Sequence, residues 1–303
     1  MTAEGAPEDA ALPRDPRYPL GVAMILTAGF CLSLGGLILR HVETGDVWQI
    51  SFYRSVIFFL TILAFLALRY RGRVAGPFLA VGPGGLMVSC FMGIGSALYL
   101  LAISLTTVAN VMFILSTAPL LTAVLGRILL GERLRALTWG AMVLALSGIA
   151  IMVAGGLESG RLAGNLAALG TVFCFAGMVV TIRRAGSADM VPAICLGGLV
   201  GAAFSAALAG GLSISGHDLG LSVLLGSAQV GAGFLLITLG TRYVPAGEVA
   251  LLAQSEIVLA PIWVWVFIDE VPSGPTLLGG AVVLTAVFGL ALAQLRSNPA
   301  TAA

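Results

Sequence analysis

The sequence predicts an all-α integral membrane protein, with ten transmembrane helices arranged as a 5+5 inverted-topology repeat around a central cavity. Three observations predict this. First, 59% of the 303 residues are hydrophobic and only 10% are charged, with a mean hydropathy of +1.06, whereas a soluble domain carries about a quarter charged residues. Second, the arginines gather on one side of the apolar runs. Third, the stretch 98–146 returns, altered, 138–140 residues later, with five apolar runs between the copies. An odd number of crossings turns the second copy upside down in the bilayer.

Residues 1–18 are polar, contain Pro7, Pro13 and Pro16, and lack a basic region followed by a cleavage site. They read as a disordered cytoplasmic tail, and the first apolar run as an uncleaved helix. A helix needs roughly 20 apolar residues to cross the hydrocarbon. Runs of that kind occupy 19–39, 47–68, 78–102, 108–130, 135–156, 162–182, 190–212, 219–240, 245–268 and 274–295. A second short cytoplasmic tail, 297–303, follows the last. The runs are continuous, without the period-two alternation of a barrel strand. Helices and closed barrels alone satisfy the backbone in lipid, so a helical bundle is left.

The chain has no Lys, so the arginines report orientation. With the N-terminus inside, Arg14, Arg17, Arg69, Arg71, Arg73, Arg127, Arg133, Arg135, Arg183, Arg184, Arg242 and Arg296 fall on the cytoplasmic side. Arg40 and Arg161 fall outside, and Arg54 lies within the second run. Twelve against two obeys the positive-inside rule and places both termini in the cytoplasm. Absence of Lys with abundant Gly and Ala suits a GC-rich bacterial genome, hence a multi-pass protein of the cell inner membrane. Cys31, Cys90, Cys174 and Cys195 all fall inside apolar runs with no CxxC pair, so they read as small packing residues, not a disulfide or zinc site.

The two repeat units are 19–156 and 162–296. Gly21, Phe30, Cys31 and Arg40 recur as Gly164, Phe173, Cys174 and Arg183; Asp46, opening the second run, recurs as Asp189 opening the seventh. Gly93 and Gly95 recur as Gly231 and Gly233, Leu130-Gly131-Glu132 as Ile268-Asp269-Glu270, and Gly140-Ala141 as Gly280-Ala281. Two halves of opposite orientation are the usual construction of a secondary transporter, whose substrate site lies at their interface near the bilayer midplane.

This arrangement resembles the drug/metabolite transporter superfamily, in particular its ten-helix EamA-type members. The likeness covers nearly the whole chain. Its most specific part is 102–148: the joint Ser104-Leu105-Thr106-Thr107, a run with Pro119 near its middle, then Gly131-Glu132-Arg133 and Gly140. In the second copy Pro119 lines up with Ile257 and Gly131 with Asp269, while Glu256 and Glu270 stand where such families often carry acidic residues. Arg54 is similar to the family's usual arginine in the second helix. The resemblance implies a 5+5 inverted repeat around a central cavity that moves small organic molecules; alternating access about a site at mid-depth is the mechanism expected of such a repeat. Within the superfamily, exporters of aromatic and other neutral amino acids look closest.

Polar groups inside the runs are the candidate site, because they cost several kcal/mol unless they face a cavity or a partner. Glu256 lies almost at the centre of the ninth run, where it either pairs with a substrate ammonium, exchanges protons, or bridges helices. Arg54 offers a fork for a carboxylate, from a substrate or from the protein. Tyr99 and Trp263 offer aromatic walls that attract ammonium groups, and Trp263 follows Glu256 by seven residues on one helix face. Gln229, Gln254 and Asn110 can hydrogen-bond a substrate or a neighbouring helix. Pro119 and Pro261 break helices four and nine and serve as candidate hinges. Glu248 reads as a charge favourably placed in a helix's first turn, and the loop acids Glu132 and Glu270 as caps that tie loops to the bundle.

Other classes fail on residue types. His41 and His217 both fall in loops, Lys is absent and no G-x-S-x-G occurs, so the chain is not read as an enzyme. There is no phosphate-cradling Gly loop for ATP, no basic aromatic patch for nucleic acid, and no ligand set for a metal or cofactor. The expected partners are a small-molecule substrate and the lipid bilayer; Gly279-Gly280 offers a packing face to a second copy or to a neighbouring helix. The substrate expectation is amino acids, aromatic and other neutral; the alternative is drugs or lipophilic and quaternary cations.

Overall fold

A computed structural model describes residues 16–131, 136–158, 161–186, 189–244, 249 and 252–297. Residues 1–15 and 298–303 of the tails, with Glu132, Arg133 and Glu248, lie outside the described residues. Every regular element is helical: α1 Tyr18–Ser33, α2 Gly35–Leu39, α3 Val47–Arg69, α4 Ala75–Leu79, α5 Gly82–Leu105, α6 Val108–Leu115, α7 Ala118–Leu130, α8 Ala136–Glu158, α9 Leu162–Arg184, α10 Val191–Leu208, α11 Gly216–Val223, a π-helical segment Leu224–Gly231, α12 Ala232–Gly240, α13 Ser255–Ile268 and α14 Gly274–Ser297. Among the described residues, seven helical stretches are long and apolar enough to cross a bilayer: Tyr18–Leu39, Val47–Arg69, Gly82–Leu105, Val108–Leu130, Leu162–Arg184, Val191–Leu208 and Gly216–Gly240. Three shorter apolar stretches, Leu137–Ile151, Ser255–Ile268 and Gly274–Leu290, accompany them.

The helix ends follow local chemistry. Asp46 caps α3 by accepting from Trp48 N–H (2.9 Å), and Asp189 accepts from Val191 N–H (3.0 Å) at the start of α10. Each aspartate's second oxygen reaches the other helix's far end. Asp46 accepts from Gly210 N–H (2.9 Å), just past α10, while Asp189 accepts from the Tyr70 hydroxyl (2.6 Å) and pairs with Arg69 (3.2 Å), at the end of α3. The third run starts later than its hydropathy suggests. The short helix α4 precedes it, and α5 opens at Gly82, whose φ is +61, with Pro83 in its first turn.

Several runs are broken. α1 stops at Ser33, whose hydroxyl donates to Phe30 O (2.7 Å), and the chain resumes as α2 at Gly35. α6 stops at Leu115, where the hydroxyls of Ser116 and Thr117 donate to Phe113 O and Ile114 O (both 2.6 Å). These side chains compete with the helical ladder for its carbonyls, and Pro119, lacking an N–H, sits in the first turn of α7. A turn at Gln254 precedes α13, which then carries Pro261 within it.

Lipid tails are as apolar as Leu, so packing and hydrogen bonds hold such helices together. α5 lies along α9 and α10, α10 also along α3, α1 along α12, and α8 along α14. Glycines allow the closest approaches: a Cβ on Gly93 would stand 2.5 Å from Gly201 N and 2.6 Å from Gly197 O. Buried apolar residues form clusters around Ile50, Leu100, Ile103, Val108 and Ile257, around Phe58, Ile62, Val88 and Cys195, and between α8 and α14 around Ala145 and Val283. Trp265, Phe267, Leu68 and Val143 remain exposed, as side chains facing lipid do.

Candidate functional site

The irregular backbone and the buried polar groups come together between α1, α2, α3, α5, the π-helical segment and α13. Arg54, on α3, is only 3% exposed. Its Nη1 donates to Ser96 Oγ (2.6 Å) and Ser96 O (3.3 Å), and its Cζ lies 5.8 Å from the centroid of the Tyr99 ring. Ser96 and Tyr99 are one turn apart on α5, so one helix supplies both contacts. Its Nε is buried without a hydrogen-bond partner, and among the described residues no carboxylate lies within 4.0 Å of the guanidinium. Taking an ion out of water costs several kcal/mol unless a counter-charge repays it.

Gln229 enters from the π-helical segment, an irregularity frequent at functional sites. Its Nε2 donates to Leu32 O (3.1 Å) at the α1–α2 break, while its Oε1 is buried and unpaired. Gly226 lets this segment press on α3, since a Cβ there would lie 2.6 Å from Arg54 O. Gly35, the first residue of α2, sits where a Cβ would meet Gln229 Nε2 at 2.9 Å and Tyr99 Oη at 3.0 Å.

Glu256 lies in the first turn of α13, half-buried, where a carboxylate favourably meets the helix N-terminus. Its backbone lies against α1, where a Cβ on Gly29 would stand 3.6 Å from Glu256 N. Beside it the Ser255 hydroxyl is buried with no partner. Two turns on, Trp263 donates its Nε1 to Ser33 Oγ (2.9 Å) and meets Phe30 edge to face, with centroids 5.8 Å apart. Gln254 stands at the turn before α13, half-buried.

Arg54, Tyr99, Gln229, Glu256 and Trp263 are thus gathered around the α1–α2 break. Asn110 is not among them. Its Nδ2 donates to Thr106 Oγ1 (3.2 Å) and Asn165 Oδ1 (3.3 Å), and its Oδ1 accepts from Thr276 (2.6 Å). That knot joins α6, α9 and α14. Pro119 starts α7 and Pro261 lies inside α13, so the break in the ninth run falls at Gln254, ahead of its proline. Ser96, Ser255 and Gly35 were not legible as site residues, because serine and glycine abound in every run. The Gly35-Gly36 doublet after Ser33 was the available signal for a break there.

Long apolar helices enclosing a polar, incompletely paired interior define a multi-pass membrane transport protein. The chain belongs to the EamA-like transporter family, whose model matches residues 19–154 and again 162–292. It is 26% identical to human solute carrier family 35 member G1 over 94% of this chain and 82% of that protein. It is 25% identical to the pseudopaline exporter CntI of Pseudomonas aeruginosa over 89% of this chain and 95% of the exporter. An uncharacterized transporter of Archaeoglobus fulgidus is 26% identical over 88% of this chain and 95% of its own. A solved crystal structure shares the fold with a TM-score of 0.62, at 21% identity, over 92% of this chain and 98% of its own. The protein is a membrane transporter of small solutes, not an enzyme.

Proposed function

We propose that this protein is a secondary transporter of amino acids, aromatic and other neutral, working by alternating access through ten spans. The observation that carries the substrate reading is the buried Arg54, for which the described residues supply no carboxylate within 4.0 Å, in an interior that also holds the half-buried Glu256, for which they supply no cation within that distance. A zwitterion supplies both missing charges. Its carboxylate takes the free Nε of Arg54 and its ammonium faces Glu256, with the Gln229 Oε1 as a second acceptor. Tyr99 and Trp263 then flank its side chain, and Gln254 lies at the cytoplasmic edge of the site.

The 5+5 reading, with units 19–156 and 162–296, is supported by the two separate matches to one family model. It is supported too by exchange of packing partners: α5 on α9 in one sense answers α12 on α1 in the other. Pro119 and Pro261, with the adjoining breaks, supply the places where helices four and nine flex. A relative named as an exporter favours outward movement. Both termini are then cytoplasmic and the membrane is the bacterial inner membrane.

Flux into proteoliposomes decides the substrate class. Phe, Met, Leu and Thr are expected to compete for labelled substrate, and Arg54→Gln to reduce amino-acid flux at least tenfold with Arg54→Lys intermediate, since an ammonium lacks the guanidinium fork. Displacement by methylviologen-type cations but by none of the four amino acids would overturn the reading in favour of drug export.

A further inference from the structure

The short arm that follows the α1–α2 break has a second anchor, at its far end. α2 is five residues long, about 7.5 Å, and leads directly to Arg40. That side chain makes three directed contacts: Nε to Glu270 Oε2 (2.8 Å), Nη1 to Ile103 O (2.8 Å) and Nη2 to Thr106 O (3.0 Å). The carboxylate's other oxygen accepts from Val108 N–H (2.8 Å). A guanidinium thus sits on the carbonyl end of α5, and a carboxylate on the amide end of α6, each at the helix pole of opposite sign. Glu270 is aimed there by a tight reversal, with Asp269 at φ +55 and Glu270 N–H donating to Val264 O (3.1 Å). Beneath the pair, Gly36 is pressed so closely on Val108 that a Cβ would lie 2.7 Å from its methyl, and Val108 is fully buried.

We propose that α2 is a gate over the substrate site, hinged at Leu34 and latched by Arg40 on Glu270. At its hinge the arm touches Gln229 and Tyr99 through Gly35; at its tip it ties the α5–α6 joint to the turn after α13. One lever therefore connects the site to the closure of one membrane face, which the arginine distribution makes the outer one. Arg40 and Glu270 do not touch the substrate: they set how long that face stays shut. This rests on the transporter reading but on no particular substrate.

The test uses full-length protein in which Cys31, Cys90 and Cys174 are replaced by Ala and Val108→Cys is introduced. The native Cys195, fully buried in the other helix cluster, is kept as an internal control. A membrane-impermeant maleimide is applied to right-side-out and inside-out vesicles, and each cysteine's labelling is read by mass spectrometry. With the latch intact Val108→Cys labels slowly. Arg40→Gln and Glu270→Gln are each expected to speed its labelling about ten- to a hundredfold while Cys195 stays unlabelled, and to lower maximal flux with little change in KM. Unchanged labelling in both variants overturns the gate, as does a parallel rise at Cys195, which reports general loosening. Faster labelling from the opposite vesicle face keeps the latch and overturns the topology. Faster labelling in a protein that ignores every amino acid keeps the latch and overturns the substrate reading.

Discussion

Arg54 is held in place by Ser96 and Tyr99, yet nothing in the described protein neutralises it. A buried cation without a carboxylate is a standing cost, and apolar side chains of similar volume at such sites are often neutral or stabilising by about 1–4 kcal/mol. Arg54→Met is therefore expected to raise the melting temperature of the substrate-free protein in detergent while removing amino-acid flux. A fall in both would mean that Arg54 serves packing alone. Added substrate should raise the melting temperature of the unaltered protein and leave Arg54→Met unmoved, because only the former binds it. The sequence singled out Arg54, Glu256, Tyr99 and Trp263 as candidates, since charged residues are rare in apolar runs and aromatic rings offer walls to a ligand. It ranked Gln229 above Asn110 on depth alone, since Gln229 falls mid-run, and had no view of either amide's partners. Both are buried amides within apolar runs, and only the fold reveals that Asn110 spends both ends of its amide on Thr106, Asn165 and Thr276. Gln229 instead keeps an oxygen free.

At the level of helices, the matched aspartates offer the clearest case of a repeat made physical. Asp46 caps its own helix and Asp189 accepts from the first amide of its own, and each grips the far end of the other's, so α3 and α10 are fastened at both tips. Asp46→Ala and Asp189→Ala should each lower stability by about 0.5–2 kcal/mol, the range for losing an N-cap. Lying at opposite ends of the pair, they should act additively in the double variant, which paired thermal melts will show. A large positive coupling between them would argue against two independent fastenings. The helix boundaries were readable wherever hydropathy or capping set them. The break at Leu34 was signalled only by the Gly35-Gly36 doublet, and the structure shows what meets it, Gln229 Nε2 donating to Leu32 O and Trp263 Nε1 to Ser33 Oγ; the turn at Gln254 was not read from the run at all. Pattern reading placed the flex points on Pro119 and Pro261, one of which begins a helix and the other of which lies inside one.

For the molecule as a whole, the arginine count makes a topological statement that reporter fusions can check. Fluorescent protein fused after residue 303 should mature in the cytoplasm, and alkaline phosphatase fused there should be inactive; the reverse would invert the bundle and with it the face closed by Arg40. Truncation after residue 156 should leave a unit that inserts but does not transport, because Arg54 and Tyr99 come from the first half while Gln229 and Glu256 come from the second. Where α5 crosses α10, Gly93 meets the main chain of Gly197 and Gly201 with no side chain between. Main chain has no rotamers to yield, so Gly93→Ala should cost about 1–3 kcal/mol as an overpacked contact does, visible as a lower melting temperature. Such a seam cannot slide by small repackings. This pair of helices is expected to act as an axle, so that superposing any two states of the protein on this crossing should expose the moving parts without distortion.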